Sequence, residues 1–164
     1  MDKPRSLVDT AFVRGHASLC VTIALLASAL GAGCASSSSS SQVELVLRTS
    51  ADANGARSVY VLARAIDEKT FGAESYESVA ARVTTPDESV QQSVVVLPGQ
   101  TKVIQVPVPE KGTLAIYALL ERPDRDAWRV LLSSPPPEKL EVRIERSRLC
   151  RVNKAGEACV PDQP

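Results

Sequence analysis

Leu140-Glu141-Val142-Arg143-Ile144-Glu145 alternates apolar and charged side chains without a break. A period of two puts Leu140, Val142 and Ile144 on one face of an extended strand and the charges on the other, the pattern of a half-buried strand. Val43, Leu45 and Leu47 set against Glu44 and Arg48 repeat it near the other end of the chain. Between them, residues 58–63 (Ser-Val-Tyr-Val-Leu-Ala) and 93–97 (Ser-Val-Val-Val-Leu) are rich in the β-branched and aromatic side chains that suit a pleated surface. Pro98-Gly99 offers a fixed φ and then a positive φ, the two centres of a type II turn, with residues 101–108 as its return strand. Pro107 lacks an N–H to donate and marks that strand as an edge. Residues 113–121 carry Leu114, Ile116, Ala118 and Leu120 and read as a central strand. Residues 122–126 turn the chain, 127–132 run back, and Pro135-Pro136-Pro137 forms an extended connection. One segment breaks the rhythm: in residues 71–82, Tyr76, Val79 and Ala80 share a helical face. About seven or eight short strands with regular turns predict an all-β antiparallel β-sandwich over 43–147, with one short helical insertion near 71–82.

Upstream the chemistry is different. Residues 1–33 combine basic residues (Lys3, Arg5, Arg14), an apolar or small stretch over 17–30, and Gly31-Ala32-Gly33, the parts of a signal peptide. Cys34 follows directly, then Ala35 and Ser36 to Ser41. The junction resembles a bacterial lipobox, although Gly31 stands where Leu is usual and Leu30 lies one step back. The resemblance implies a covalent lipid on Cys34, and several acyl chains hold a protein at a bilayer far better than one. Residues 34–42 then form a lipidated, serine-rich flexible tether. An ordinary signal that leaves Cys34 as a thiol is one alternative. An uncleaved anchor is the other, although the apolar run of about 16 residues is short of the roughly 20 that span a bilayer.

Charge and composition narrow the chemistry further. The chain has 19 basic and 19 acidic residues, and removing the leader leaves it close to neutral. No basic face for nucleic acid is implied. Aromatics make up only 4%, too few for a surface that stacks bases or sugars. The only histidine, His16, leaves with the leader, so Ser–His and Cys–His nucleophiles are excluded from the mature chain. No phosphate-binding loop is present. A carboxylate pair stays formally possible, but neither catalysis, nor a metal, nor a cofactor beyond the lipid on Cys34 is expected. Cys20 departs with the leader. Cys150 and Cys159 flank a turn-forming stretch, 153–157, and predict a disulfide in a terminal hairpin or tail, 148–164. Closing so short a loop contributes about 2–3 kcal/mol.

The mature chain resembles the TssJ family, outer-membrane lipoproteins of type VI secretion systems. Five landmarks carry the resemblance: Val59-Tyr60-Val61-Leu62, Phe71-Gly72-Ala73-Glu74-Ser75-Tyr76, Leu97-Pro98-Gly99-Gln100, the apolar run from Leu114 to Leu120, and Ala127-Trp128-Arg129. The chain departs from the family in lacking an Arg before Tyr60 and a Gly in the apolar strand, and in its two-cysteine tail. The resemblance implies a transthyretin-like sandwich without catalytic activity. It would be lipid-anchored on the periplasmic face of the outer membrane and bind the periplasmic carboxy-terminal region of a TssM-like inner-membrane protein. Ala35 after the lipidated cysteine agrees with outer-membrane sorting. The partner contact maps by the resemblance onto the first loop, Ser50, Ala51, Asp52, Ala53, Asn54, Gly55, Ala56 and Arg57. That loop is polar apart from small alanines, so replacing Asp52, Asn54 and Arg57 together by Ala is expected to leave stability nearly unchanged. Trp128, Phe71 and Tyr76 are expected to pack rather than bind. A free-standing lipoprotein that takes a small ligand or glycan through its sandwich loops is the alternative function.

Overall fold

The computed structural model describes residues 41–152. The leader, Cys34 with its tether as far as Ser40, and the segment 153–164 with Cys159 lie outside the described residues. Every described residue belongs to one compact unit.

Eight strands form two four-stranded sheets. The strands are β1 (Gln42–Thr49), β2 (Val59–Ile66), β3 (Val90–Val96), β4 (Thr101–Pro107), β5 (Thr113–Leu119), β6 (Arg129–Leu131), β7 (Lys139–Ile144) and β8 (Leu149–Arg151). One sheet has the order β4-β1-β7-β8, the other β3-β2-β5-β6. The inward set is the one the alternation selects: Val43, Leu45 and Leu47 face Val59, Val61 and Ala63, with Leu114, Ile116, Leu140, Val142 and Ile144 filling the space between. The mostly-β sandwich of the sequence reading therefore holds. Burying a side chain of this size contributes about 1.5–3 kcal/mol, so this layer dominates stability.

Four details differ from the expectation. β1 and β7 pair in parallel, Leu45 beside Leu140 and Leu47 beside Val142, so their sheet is mixed rather than antiparallel. Side-chain alternation encodes which face is buried but not strand direction. Second, Pro98-Gly99 does form its turn, with Gly99 at φ 72° and Gln100 N donating to Leu97 O at 3.3 Å. Yet β3 and β4 do not pair: they lie in opposite sheets, and β4 joins β1. Both bury one face in the same core, which the pattern alone cannot distinguish from a hairpin. Third, β8 pairs with β7, so the sandwich runs past residue 147 into the segment assigned to a tail.

The fourth concerns the insertion, which is two helices, α1 (Glu68–Ala73) and α2 (Tyr76–Thr84). Asp67 caps the first, its carboxylate accepting from Thr70 N, and Ser75 caps the second, its hydroxyl accepting from Ser78 N. A cap side chain fixes the point where a helix starts, so Ser75 divides the segment. Together the helices cover the outer face of the β3-β2-β5-β6 sheet. Leu62, Ile66, Val79, Ala115, Tyr117 and Trp128 form a second core there, with Phe71 and Tyr76 packed against it. β2 and β5 are thus buried on both faces.

Candidate partner-binding site

The strand registers bring four connections to one end of the sandwich. Arg48 lies beside Thr101, Thr49 beside Ile144, Val59 beside Val96, Tyr60 beside Leu119 and Ile144 beside Leu149. Segments 50–58, 97–100, 120–128 and 145–148 therefore share a pole, while the chain enters β1 at the opposite one. Backbone hydrogen bonds interlock them. Gly99 N donates to Ser50 O at 3.0 Å, Ser50 N to Ile144 O at 2.9 Å, Asn54 N to Glu145 O at 3.3 Å and Asp124 N to Ser147 O at 2.8 Å. The Thr49 hydroxyl adds a bond to Leu97 O at 2.6 Å.

The first loop is less free than its composition suggests. Asn54, Gly55 and Ala56 are all left-handed, with φ of 51°, 66° and 63°. Only Gly adopts that region without penalty, and Asn tolerates it better than other side chains. Ala53 is fully buried and Asn54 nearly so. The Asn54 amide donates to Ser58 O at 3.0 Å, and its carbonyl accepts from Glu121 N at 2.7 Å. One side chain thus ties the loop to the start of β2 and the end of β5. The expectation that Asn54 is dispensable for folding is corrected by this pinning. Ala51, Asp52, Gly55, Ala56 and Arg57 do face outward. The Ser50 hydroxyl and the Arg146 guanidinium hold the Asp52 carboxyl below the usual carboxylate range.

Beside this loop lies an open cleft of about 440 Å³, lined by Asn54, Arg57, Glu121, Arg122, Arg146 and Ser147 among others. Arg57 pairs with Glu121, and Arg146 with Asp52 at 3.2 Å. Among the described residues no group of three potential metal ligands comes together.

A second polar centre escaped the sequence reading. Arg64 lies in β2 at a position where a charge looks like the end of a strand, yet its side chain is only 5% exposed and pairs with Glu74, at 11%, across 2.6 Å. Tyr117 donates its hydroxyl to the same carboxylate at 2.9 Å, and Arg64 also donates to Ser89 at 2.9 Å. Burial, then the bond to Glu74, pushes the Tyr117 phenol far above its ordinary value. Arg129 bonds Glu74 O at 3.2 Å and lies over the Phe71 ring, 4.8 Å from its centre. These groups dock the helices. Trp128 also packs, 3% exposed and edge-on to Tyr76 at 5.0 Å, though beneath the helices rather than between the sheets. Sequence signals for this centre existed in Arg64 and Glu74, but they are ten positions apart and periodicity does not link them.

The profile of the family described as IglE, N-terminal domain, matches residues 60–144, over half of the chain. The chain belongs to this family. The IglE N-terminal domain family is one of TssJ-like lipoproteins. Its match runs from β2 through β7 and takes in the 97–100 and 120–128 connections, while the first loop precedes it. Among solved structures, the chain is similar to the membrane-bound type VI secretion component Lip of Serratia marcescens. That likeness has 18% identity and a TM-score of 0.58, covering 70% of this chain and 98% of that one. It is similar to the type VI lipoprotein TssJ1 of Pseudomonas aeruginosa at 17% identity and a TM-score of 0.54, covering 76% and 98%. A chain in a structure described as the TssM C-terminal domain (869-1107) from EAEC gives 18% identity and 0.58, covering 68% and 98%. At such identities these likenesses establish the fold. No curated protein matches the chain.

Cys150, buried on β8, is disulfide-bonded. Its expected partner, Cys159, and the expected lipidation site, Cys34, lie outside the described residues.

Proposed function

We propose that this chain is the outer-membrane-anchored lipoprotein of a type VI secretion membrane complex, and that it binds the periplasmic carboxy-terminal region of a TssM-like inner-membrane protein. Membership of a TssJ-like lipoprotein family, on a sandwich that presents four interlocked loops at one pole, is the observation that supports this reading most. The rigid pole offers a preformed recognition surface, which lowers the ordering cost of association. The covalent lipid on Cys34 anchors the chain, and the pole loops, at the end of the sandwich opposite the start of β1, bind the partner. The disulfide of Cys150 closes on Cys159. The chain performs no catalysis and needs no metal or cofactor other than its lipid.

Two measurements test this. Tagged chain is captured from detergent-solubilised membranes of its host, and the TssM-like protein is expected in the eluate. Its absence there, with the bait intact, removes the secretion reading and leaves the ligand-binding lipoprotein in its place. Fatty-acid labelling is expected on the wild type and to be lost in Cys34→Ser. Equal labelling of both refutes the anchor.

A further inference from the structure

We propose that the cleft between the first, third and fourth pole loops is a carboxylate-recognition site, and that it takes an acidic segment of the protein partner, with Arg122 as its central contact. This deepens the partner-binding reading and rests on it for the partner's identity.

The argument begins with the guanidinium count. Arg57, Arg122 and Arg146 come from three different loops and converge on one concavity, whose lining holds a single carboxylate, Glu121. Arg57 is matched by Glu121 and Arg146 by Asp52. Arg122 has no ion pair among the described residues. The cleft therefore carries one uncompensated positive charge, although the chain as a whole is balanced.

The two internal pairs do not close the site. Side chains of Arg57 and Glu121 are 66% and 52% exposed, those of Arg146 and Asp52 72% and 57%. Ion pairs so exposed are worth little, so either guanidinium can turn to an incoming carboxylate at small cost. The backbone beneath them is held firmly by Asn54 and the bonds between loops. An arginine fork on a fixed base suits the planar, bidentate geometry of a carboxylate.

Charge complementarity selects the occupant. An acidic peptide segment matches a cleft of net positive charge, and arginine is enriched among the contacts that dominate protein interfaces.

The test uses the full-length chain in detergent micelles, with two probes. One is the periplasmic domain of the TssM-like protein and the other is hexaglutamate, with hexalysine as control. Arg122→Glu is expected to weaken binding of the periplasmic domain about tenfold or more and to flatten its salt dependence, since like charge replaces attraction. Arg122→Lys should lose about threefold, because the fork is lost but the charge kept. Arg143→Glu, on the outer face of β7, should bind as the wild type does. Hexaglutamate, but not hexalysine, should shift the arginine side-chain resonance of Arg122. An Arg122→Glu variant that binds the periplasmic domain no worse than Arg143→Glu overturns the proposal and leaves the partner reading intact. If the wild type ignores that domain, the partner reading fails, and hexaglutamate alone decides the cleft: shifts of the Arg57 and Arg146 side-chain resonances that are lost in Arg122→Glu uphold it, and no shift in the wild type overturns it. Binding to phosphatidylglycerol vesicles that Arg122→Glu abolishes, without a response to hexaglutamate, also overturns it in favour of a lipid headgroup.

Discussion

Asn54→Ala is expected to destabilise the domain far more than alanine at Asp52 or Arg57 in the same loop. The substitution removes two hydrogen bonds, from Nδ2 to Ser58 O at 3.0 Å and from Glu121 N to Oδ1 at 2.7 Å. Each is worth about 0.5–1.5 kcal/mol net. Alanine at φ 51° adds a backbone penalty of about 1–2 kcal/mol, part of which Asn already bears. The sum is about 2–4 kcal/mol, equivalent to a fall in Tm of roughly 10 °C or more for a domain of this size. Asp52→Ala and Arg57→Ala, which lose only exposed pairs, should stay within about 0.5 kcal/mol of wild type. Asn54→Gly separates the two contributions, because it relieves the backbone penalty and keeps the loss of hydrogen bonds. Thermal unfolding followed by circular dichroism on all four variants is the assay. If Asn54→Ala unfolds within about 1 °C of the wild type, the pinning role is refuted. The order Ala below Gly below wild type would support it. Binding experiments on this loop should therefore change Asp52 and Arg57 and leave Asn54 in place.

Trp128→Ala should cost about 3–5 kcal/mol, since it empties the layer between the helices and the sheet; a loss under about 1 kcal/mol in urea unfolding would contradict its burial. Arg64→Ala should cost about 3–5 kcal/mol by leaving Glu74 buried without its partner. The double change Arg64→Met with Glu74→Leu should recover most of that, and a cycle showing plain additivity would argue against the pair. Asp52, Asp67 and Asp87 all have carboxyls held below the usual range, chiefly by hydroxyls of Ser50, Thr70 and Ser89 respectively. A folded-state value below the unfolded one means stability is complete above about pH 4 and is lost as pH falls through the folded values. Urea midpoints from pH 6 to pH 2 should drop only in the acid range, and Asp67→Asn should shrink the drop.

Strand positions were legible because one face of each strand is buried, which writes a period of two into the sequence. Leu140, Val142 and Ile144 announce β7, and Val43, Leu45 and Leu47 announce β1. Pairing was not legible, because β1 meets both β4 and β7 and nothing local distinguishes these partners. The double burial of β2 hid its end: Arg64 reads as solvated until Glu74 arrives from a helix to pair with it. In the candidate site, the outward polarity of Asp52 and Arg57 followed from composition. The inward turn of Asn54 depends on three consecutive left-handed residues, which Asn-Gly suggests only as a turn. Arg122 and Arg146 were missed because their meeting with Arg57 is purely tertiary.

The parallel pairing of β1 with β7 also predicts an order of events in folding. Arg48 and Glu141, on opposite sides of that seam, are 93 residues apart in sequence. Contacts at such separation form late, because a long loop must close before they contribute. The β2, β3 and β5 strands with their helices lie closer together along the chain and can assemble first. β1 then waits with one edge open until β7 is available to fill it. A chain synthesised from its amino end is thus expected to keep one edge of its first strand unpaired until residues 139–144 appear, and a factor that shields an exposed strand edge would find residues 42–49 its natural target.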